Sequence, residues 1–111
     1  MFGKKQKEKM FRQGDILFMR VKEIPQGIAI ADDKIIAHGE ATGHTHRFED
    51  TEGETVQVYG GETDKFVVID SAQAILHHNE HKPITLPKGT YKVIKQREYD
   101  IMNDVVQQVR D

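Results

Sequence analysis

A chain of 111 residues has room for one hydrophobic core, so the sequence predicts a single small domain. Its 37% hydrophobic and 31% charged residues are typical of a soluble globular protein and exclude disorder along the whole chain. The net charge of -2 argues against nucleic acid as a partner, and the absence of a run of about 20 apolar residues argues against a membrane protein. Without cysteine the chain has no disulfides or thiolate ligands, which favours the cytoplasm.

The N-terminal segment is strongly basic. Its five basic side chains are Lys4, Lys5, Lys7, Lys9 and Arg12. No long apolar run follows them, as a secretory signal would require. We therefore predict a solvated basic arm over residues 1–12, followed by one β domain over residues 13–111. The alternative for the arm is a tether for phosphates or an acidic partner.

Short alternating or β-branched runs separated by turn residues predict β-strands along most of the chain. The first run covers residues 16–21, directly after Gly14-Asp15. Pro25-Gln26-Gly27 then predicts a turn before residues 28–30. Three further runs follow, at residues 34–38, 55–59 and 65–69.

Two turn signals come next in the chain. Asp70-Ser71 either turns the chain or forms a bulge within one longer strand. Pro87-Lys88-Gly89 predicts a turn before the strand at residues 90–94. Strands at about ten-residue spacing predict an all-β domain, either a small antiparallel barrel or a sandwich.

The C-terminal segment allows two interpretations. Ile101, Val105, Val106 and Val109 would share one face of a helix, whereas Asn103-Asp104 between β-branched residues is typical of a hairpin turn. We favour the hairpin, because closely spaced valines in a sheet protein are more typical of strands.

The candidate chemistry lies in a cluster of histidines. All six histidines of the chain lie between His38 and His81. In an extended segment His44 and His46 project from one face, and a turn can bring His78 and His81 to a common point. Such a set of neutral imidazoles suits a divalent transition metal, namely Zn, Mn, Fe, Ni or Cu. The alternative is a set of exposed or backbone-bonded histidines with no metal.

Three nearby residues differ from these four histidines. His38 ends an apolar strand without a spaced partner, and His77 should face away from its neighbour, so we leave both out of the site. Glu40 is a candidate catalytic residue, as a general base whose pKa would be raised by burial, or an additional ligand. The alternative for Glu40 is a solvated surface carboxylate.

Two motifs resemble those of a family of small uncharacterised bacterial proteins. The first is Glu40-Ala41-Thr42-Gly43-His44-Thr45-His46-Arg47, and the second spans residues 78–93 with the continuation Gln96-Arg97-Glu98-Tyr99-Asp100. The resemblance implies no activity. It does imply that His44, His46, His78 and His81 belong to the motif, whereas the other two histidines do not.

A looser resemblance is to cupins, which are small β-barrels with a His-x-His pair on a strand and a carboxylate a few residues later. Asp50 lies near that carboxylate position. No histidine follows the Pro87-Lys88-Gly89 segment where the second cupin motif has one. The resemblance therefore implies an architecture that is cupin-like at most in part.

Three hypotheses of function follow. The leading one is a small β-barrel protein that binds one metal ion, either without catalysis or as a metal-dependent enzyme acting on a small polar substrate. The second is a non-enzymatic binding or assembly module, in which the histidine face and the basic arm contact a partner or a second copy. The third is metal-free acid/base catalysis by a histidine beside Glu40 or Glu80.

Overall fold

The computed structural model describes residues 10–38, 43–61 and 64–95, and it confirms the prediction of a single all-β domain. Within these ranges the regular structure consists of strands alone, and no helix could cross a membrane. The strands are β1 (Met10–Gln13), β2 (Ile16–Arg20), β3 (Ile35–His38), β4 (Thr45–Phe48), β5 (Val56–Tyr59), β6 (Phe66–His77) and β7 (Ile84–Lys95). They form one antiparallel sheet that curls into a half-barrel.

The long strand β6 organises the sheet. The strand order is β1-β2-β7-β6-β4-β3, and β5 pairs with β6 beside β4. Residues 66–69 of β6 pair with β5, whereas residues 76–77 pair with β4. The register between β6 and β7 shifts between Ile69 and Gln73. Of the two alternatives for Asp70-Ser71, the bulge within one longer strand is therefore correct.

The turn predicted at Pro87-Lys88-Gly89 is wrong, because β7 continues through these residues. Pro87 has no N–H group to donate, and it lies opposite Gln73, where the pairing with β6 is irregular. A Cβ added to Gly89 would lie against the Arg20 guanidinium. Proline and glycine here mark an irregularity and a close approach inside a strand.

The hydrophobic core fills the inner face of the curled sheet. Phe18, Leu76 and Leu86 belong to this core and have no exposed surface. Each such side chain contributes about 1.5–3 kcal/mol to stability. The Phe18 and Phe48 rings meet edge to face at 6.3 Å, although β7 and β6 separate their strands in the sheet. In a flat sheet those strands would lie about 14 Å apart, so the contact reflects the curl.

Some predicted segments differ from the structure, and others lie outside the described residues. Residues 10–12, predicted as the end of the basic arm, pair with β2, and Phe11 packs against Tyr91 of β7 with ring centroids 5.9 Å apart. Of the run at 28–30, Ile30 forms an isolated bridge with Tyr59. Residues 1–9, Glu40 and the C-terminal segment, for which a hairpin was favoured over a helix, lie outside the described residues.

Candidate functional site

Four histidine rings meet where the β1–β2 turn, the start of β4 and the β6–β7 connection approach one another. The ring centroids of His46 and His78 are 4.4 Å apart, and those of His78 and His81 are 4.5 Å apart. His44 lies 5.7 Å from His78, and His46 lies 6.0 Å from His81. The structure therefore brings together the four histidines that the sequence selected, while their role as metal ligands stays a prediction.

His46 is the buried member of the cluster, with 5% of its surface exposed. Its Nδ1 lies 2.9 Å from Oε1 of Gln13. The Gln13 Nε2 donates to the carbonyl oxygens of Leu76 and Lys82, each at 3.0 Å. Because these bonds identify the amide nitrogen, Oε1 is the acceptor and His46 Nδ1–H is the donor. The Nε2 of neutral His46 therefore carries the free lone pair.

The surroundings of His46 keep it neutral. Burial and, after it, the neighbouring His78 lower its pKa, Asp15 opposes the change, and the pKa falls from 6.5 to about 4. The His46 Nε2 lies 3.6 Å from Oδ1 of Asp15. At neutral pH an unprotonated ring nitrogen thus faces a carboxylate oxygen. Both atoms are acceptors, so this arrangement attracts a cation.

His78 organises the turn between β6 and β7. Its Nδ1 accepts the backbone N–H groups of Glu80 at 2.9 Å and His81 at 3.0 Å. Burial and then the neighbouring His81 and His44 lower the pKa of His78. In the neutral ring the proton therefore lies on Nε2. In this orientation His78 holds the turn and has no lone pair to offer a metal.

His81 packs against the β1–β2 turn. Gly14 has φ of 60°, and a Cβ at this position would lie 2.6 Å from Nε2 of His81. Glycine both adopts this left-handed conformation and leaves space for the ring. In the same cluster, His44 Nδ1 lies 3.6 Å from Oε1 of Glu80.

The β6–β7 turn is also attached to β4. Asn79 Oδ1 accepts the backbone N–H of Thr45 at 2.9 Å and a longer bond from Arg47 at 3.4 Å. These bonds hold the turn that carries two cluster histidines beside the strand that carries His46. Outside the cluster, His77 Nε2 lies 3.9 Å from a carboxylate oxygen of Glu49.

The sequence analysis missed Gln13 and Asp15. Both flank Gly14 in the tight turn between β1 and β2, which pairs Gln13 with Ile16. The available signal was a glycine between two polar residues directly before an apolar strand. That signal predicts the turn but not its contact with His46, which lies more than thirty residues further along the chain.

As their side chains stand, the described residues contain no group of three or more His, Asp or Glu that could hold a metal ion. No curated protein and no solved structure gives a significant match to this chain. A family model does match, over residues 12–96. The chain therefore belongs to the family described as a domain of unknown function (DUF8820).

Proposed function

We propose that the protein binds one divalent transition metal ion through His46 Nε2 together with other histidines of the cluster. The observation that supports this most strongly is the bond from His46 Nδ1–H to Gln13 Oε1 at 2.9 Å. A metal-ligating histidine usually donates its second ring nitrogen to a fixed acceptor, which sets the tautomer and the ring orientation. Gln13 supplies such an acceptor and is itself held by two backbone carbonyls.

The electrostatics of His46 support the same proposal. A metal competes with protons for imidazole nitrogen, so affinity near pH 7 depends on how readily the ring is protonated. With a pKa of about 4, His46 is neutral at that pH. Metal binding at Nε2 would therefore displace no proton from this residue.

The remaining histidines differ in their suitability as ligands. His78 uses Nδ1 for two backbone bonds and would have to turn its ring to ligate. His44 is partly exposed and His81 is exposed, so both can change rotamer more easily. Holding a side chain about 30° away from a preferred rotamer costs about 0.5–1.5 kcal/mol, whereas zinc bound in a structural site contributes about 10–16 kcal/mol. The binding free energy can therefore assemble donors that do not converge in the metal-free protein.

Exposure at the rim favours an open site over a closed structural one. The side chains of Asp15 and Glu80 are 78% and 73% exposed. Water or a small polar substrate could therefore reach the bound ion, as in metal-dependent enzymes that keep one coordination position open. This extends the proposal to a metal-dependent enzyme acting on a small polar substrate.

Calorimetric titration of untagged, chelator-treated protein with Zn²⁺ tests the binding. Wild-type protein should bind one equivalent, and His46→Ala should abolish saturable binding. His77→Ala is the matched control, because the His77 ring lies outside the cluster, beside Glu49. This variant should bind Zn²⁺ as the wild type does. Absence of saturable binding by the wild type, or unchanged binding by His46→Ala, would contradict the proposal.

A further inference from the structure

We infer that Asp15 supplies a carboxylate ligand to the metal, and that the ion thereby joins the β1–β2 turn to β4. The inference rests on the proposed function, since it concerns the same ion. It adds a ligand of a different chemical class, contributed by a segment outside both histidine motifs. It also gives the ion a structural role in the half-barrel.

The distance between Asp15 and His46 fits two ligands of one ion. Oδ1 of Asp15 and Nε2 of His46 lie 3.6 Å apart. Two donors at about 2.1 Å from a tetrahedral ion are about 3.4 Å apart. The observed separation is thus longer than a hydrogen bond and close to the separation that a shared ion requires.

The turn that carries Asp15 is held on both sides of this residue. Gln13, two positions before it, makes three side-chain bonds, and two of them, including the one to His46, are buried. Gly14, directly before it, lies against the His81 ring. These contacts place the Asp15 carboxylate beside the cluster with little freedom in the backbone.

Asp15, His46 and His81 would together supply two imidazoles and one carboxylate. This is a common ligand set for catalytic zinc and for non-haem iron, and it leaves coordination positions open. His81 Nε2 already lies against the β1–β2 turn, so its donor atom is on the side of the cluster that Asp15 occupies. Asp15 and His81 are both exposed, so the set would be completed through rotation of these side chains.

The ion would cross-link parts of the sheet that are not neighbours. β1 lies at one end of the strand order and hydrogen-bonds to β2, and β7 and β6 separate β2 from β4. An ion shared by Asp15 and His46 would attach the β1–β2 hairpin to β4 across the curl of the sheet. Opening of this terminal hairpin should then require release of the ion.

Asp15→Asn tests the inference, because it preserves the shape of an exposed side chain and removes its charge. Zn²⁺ affinity should fall about tenfold or more. Zn²⁺ should slow amide hydrogen exchange in β1 of the wild type, and Asp15→Asn should lose this protection. Circular dichroism checks that each variant is folded.

A control variant separates coordination from general electrostatics. Asp70→Asn removes an exposed carboxylate on β6, outside the cluster. It should bind Zn²⁺ nearly as the wild type does. Equal losses in Asp15→Asn and Asp70→Asn, or β1 exchange unaffected by Zn²⁺, would overturn the inference while leaving metal binding intact. A wild type that does not bind Zn²⁺ would overturn both.

Discussion

Acidification should destabilise the metal-free protein through protonation of His46. Burial and His78 hold the pKa of this residue at about 4 in the folded protein, against 6.5 in the unfolded chain. Between these values the unfolded chain binds the proton more readily. The contribution of His46 to stability is therefore fully present above pH 6.5, decreases as the pH falls toward 4, and is lost below it.

The magnitude follows from the two pKa values. The difference between 6.5 and about 4 corresponds to about 3 kcal/mol over the whole window. About 2 kcal/mol of this should be lost between pH 8 and pH 5. Small domains have unfolding free energies of about 5–15 kcal/mol, so the loss should be large enough to measure.

Urea denaturation in the presence of a chelator, at several pH values between 8 and 5, measures the effect. Subtracting the same series for His46→Gln removes the contribution of the other titrating groups. NMR titration of the His46 ring gives the pKa directly in the wild type. A midpoint near 6.5, or a difference between the two proteins that does not change with pH, would refute the reasoning.

Two further predictions concern the residues around His46. Gly14→Ala should cost about 1–2 kcal/mol, because alanine is strained at φ of 60°, and should weaken Zn²⁺ binding by displacing His81. Gly27→Ala, at φ of 89° with open space around its Cβ, should lose a similar amount of thermal stability but bind Zn²⁺ normally. Equal Zn²⁺ affinity in the two variants would count against a role of the contact between Gly14 and His81 in metal binding. Gln13→Glu should cost about 2–4 kcal/mol by removing the donor to two carbonyls, and should raise the pKa of His46, measured by NMR; an unchanged pKa would contradict the assigned bond.

Most strand positions could be predicted from the local sequence, whereas the pairing and register of the strands could not. The runs at residues 16–21 and 55–59 predicted β2 and β5 closely, because the period-two pattern of a strand can be read from neighbouring residues alone. β1 was missed because it is short and follows a run of lysines. The prediction of a turn at Pro87 and Gly89 was wrong. β7 can contain a proline here because its pairing with β6 is irregular beside Gln73, and this partner strand is distant in sequence.

For the candidate site, the set of histidines could be predicted from the sequence, whereas their hydrogen-bond partners could not. Spacing and face alternation selected His44, His46, His78 and His81, and their rings do lie together. The same reasoning could not distinguish His46, a buried ring with a free lone pair on Nε2, from His78, whose Nδ1 accepts two backbone bonds in a turn. Those differences depend on the partner of each ring nitrogen, and the partner of His46 lies on a strand that the sequence analysis did not predict.

Pro87 has a consequence for folding specificity. A residue without an N–H group is tolerated where the ladder between β6 and β7 is interrupted, and Pro87 lies opposite Gln73 at such an interruption. If β7 slipped in the direction that places Pro87 inside the regular ladder, the missing N–H group would interrupt that ladder. A slip by one residue would also turn the core side chains of β7 toward solvent. Pro87 therefore selects one alignment of the hairpin, and with it the position of the loop that carries His78 and His81.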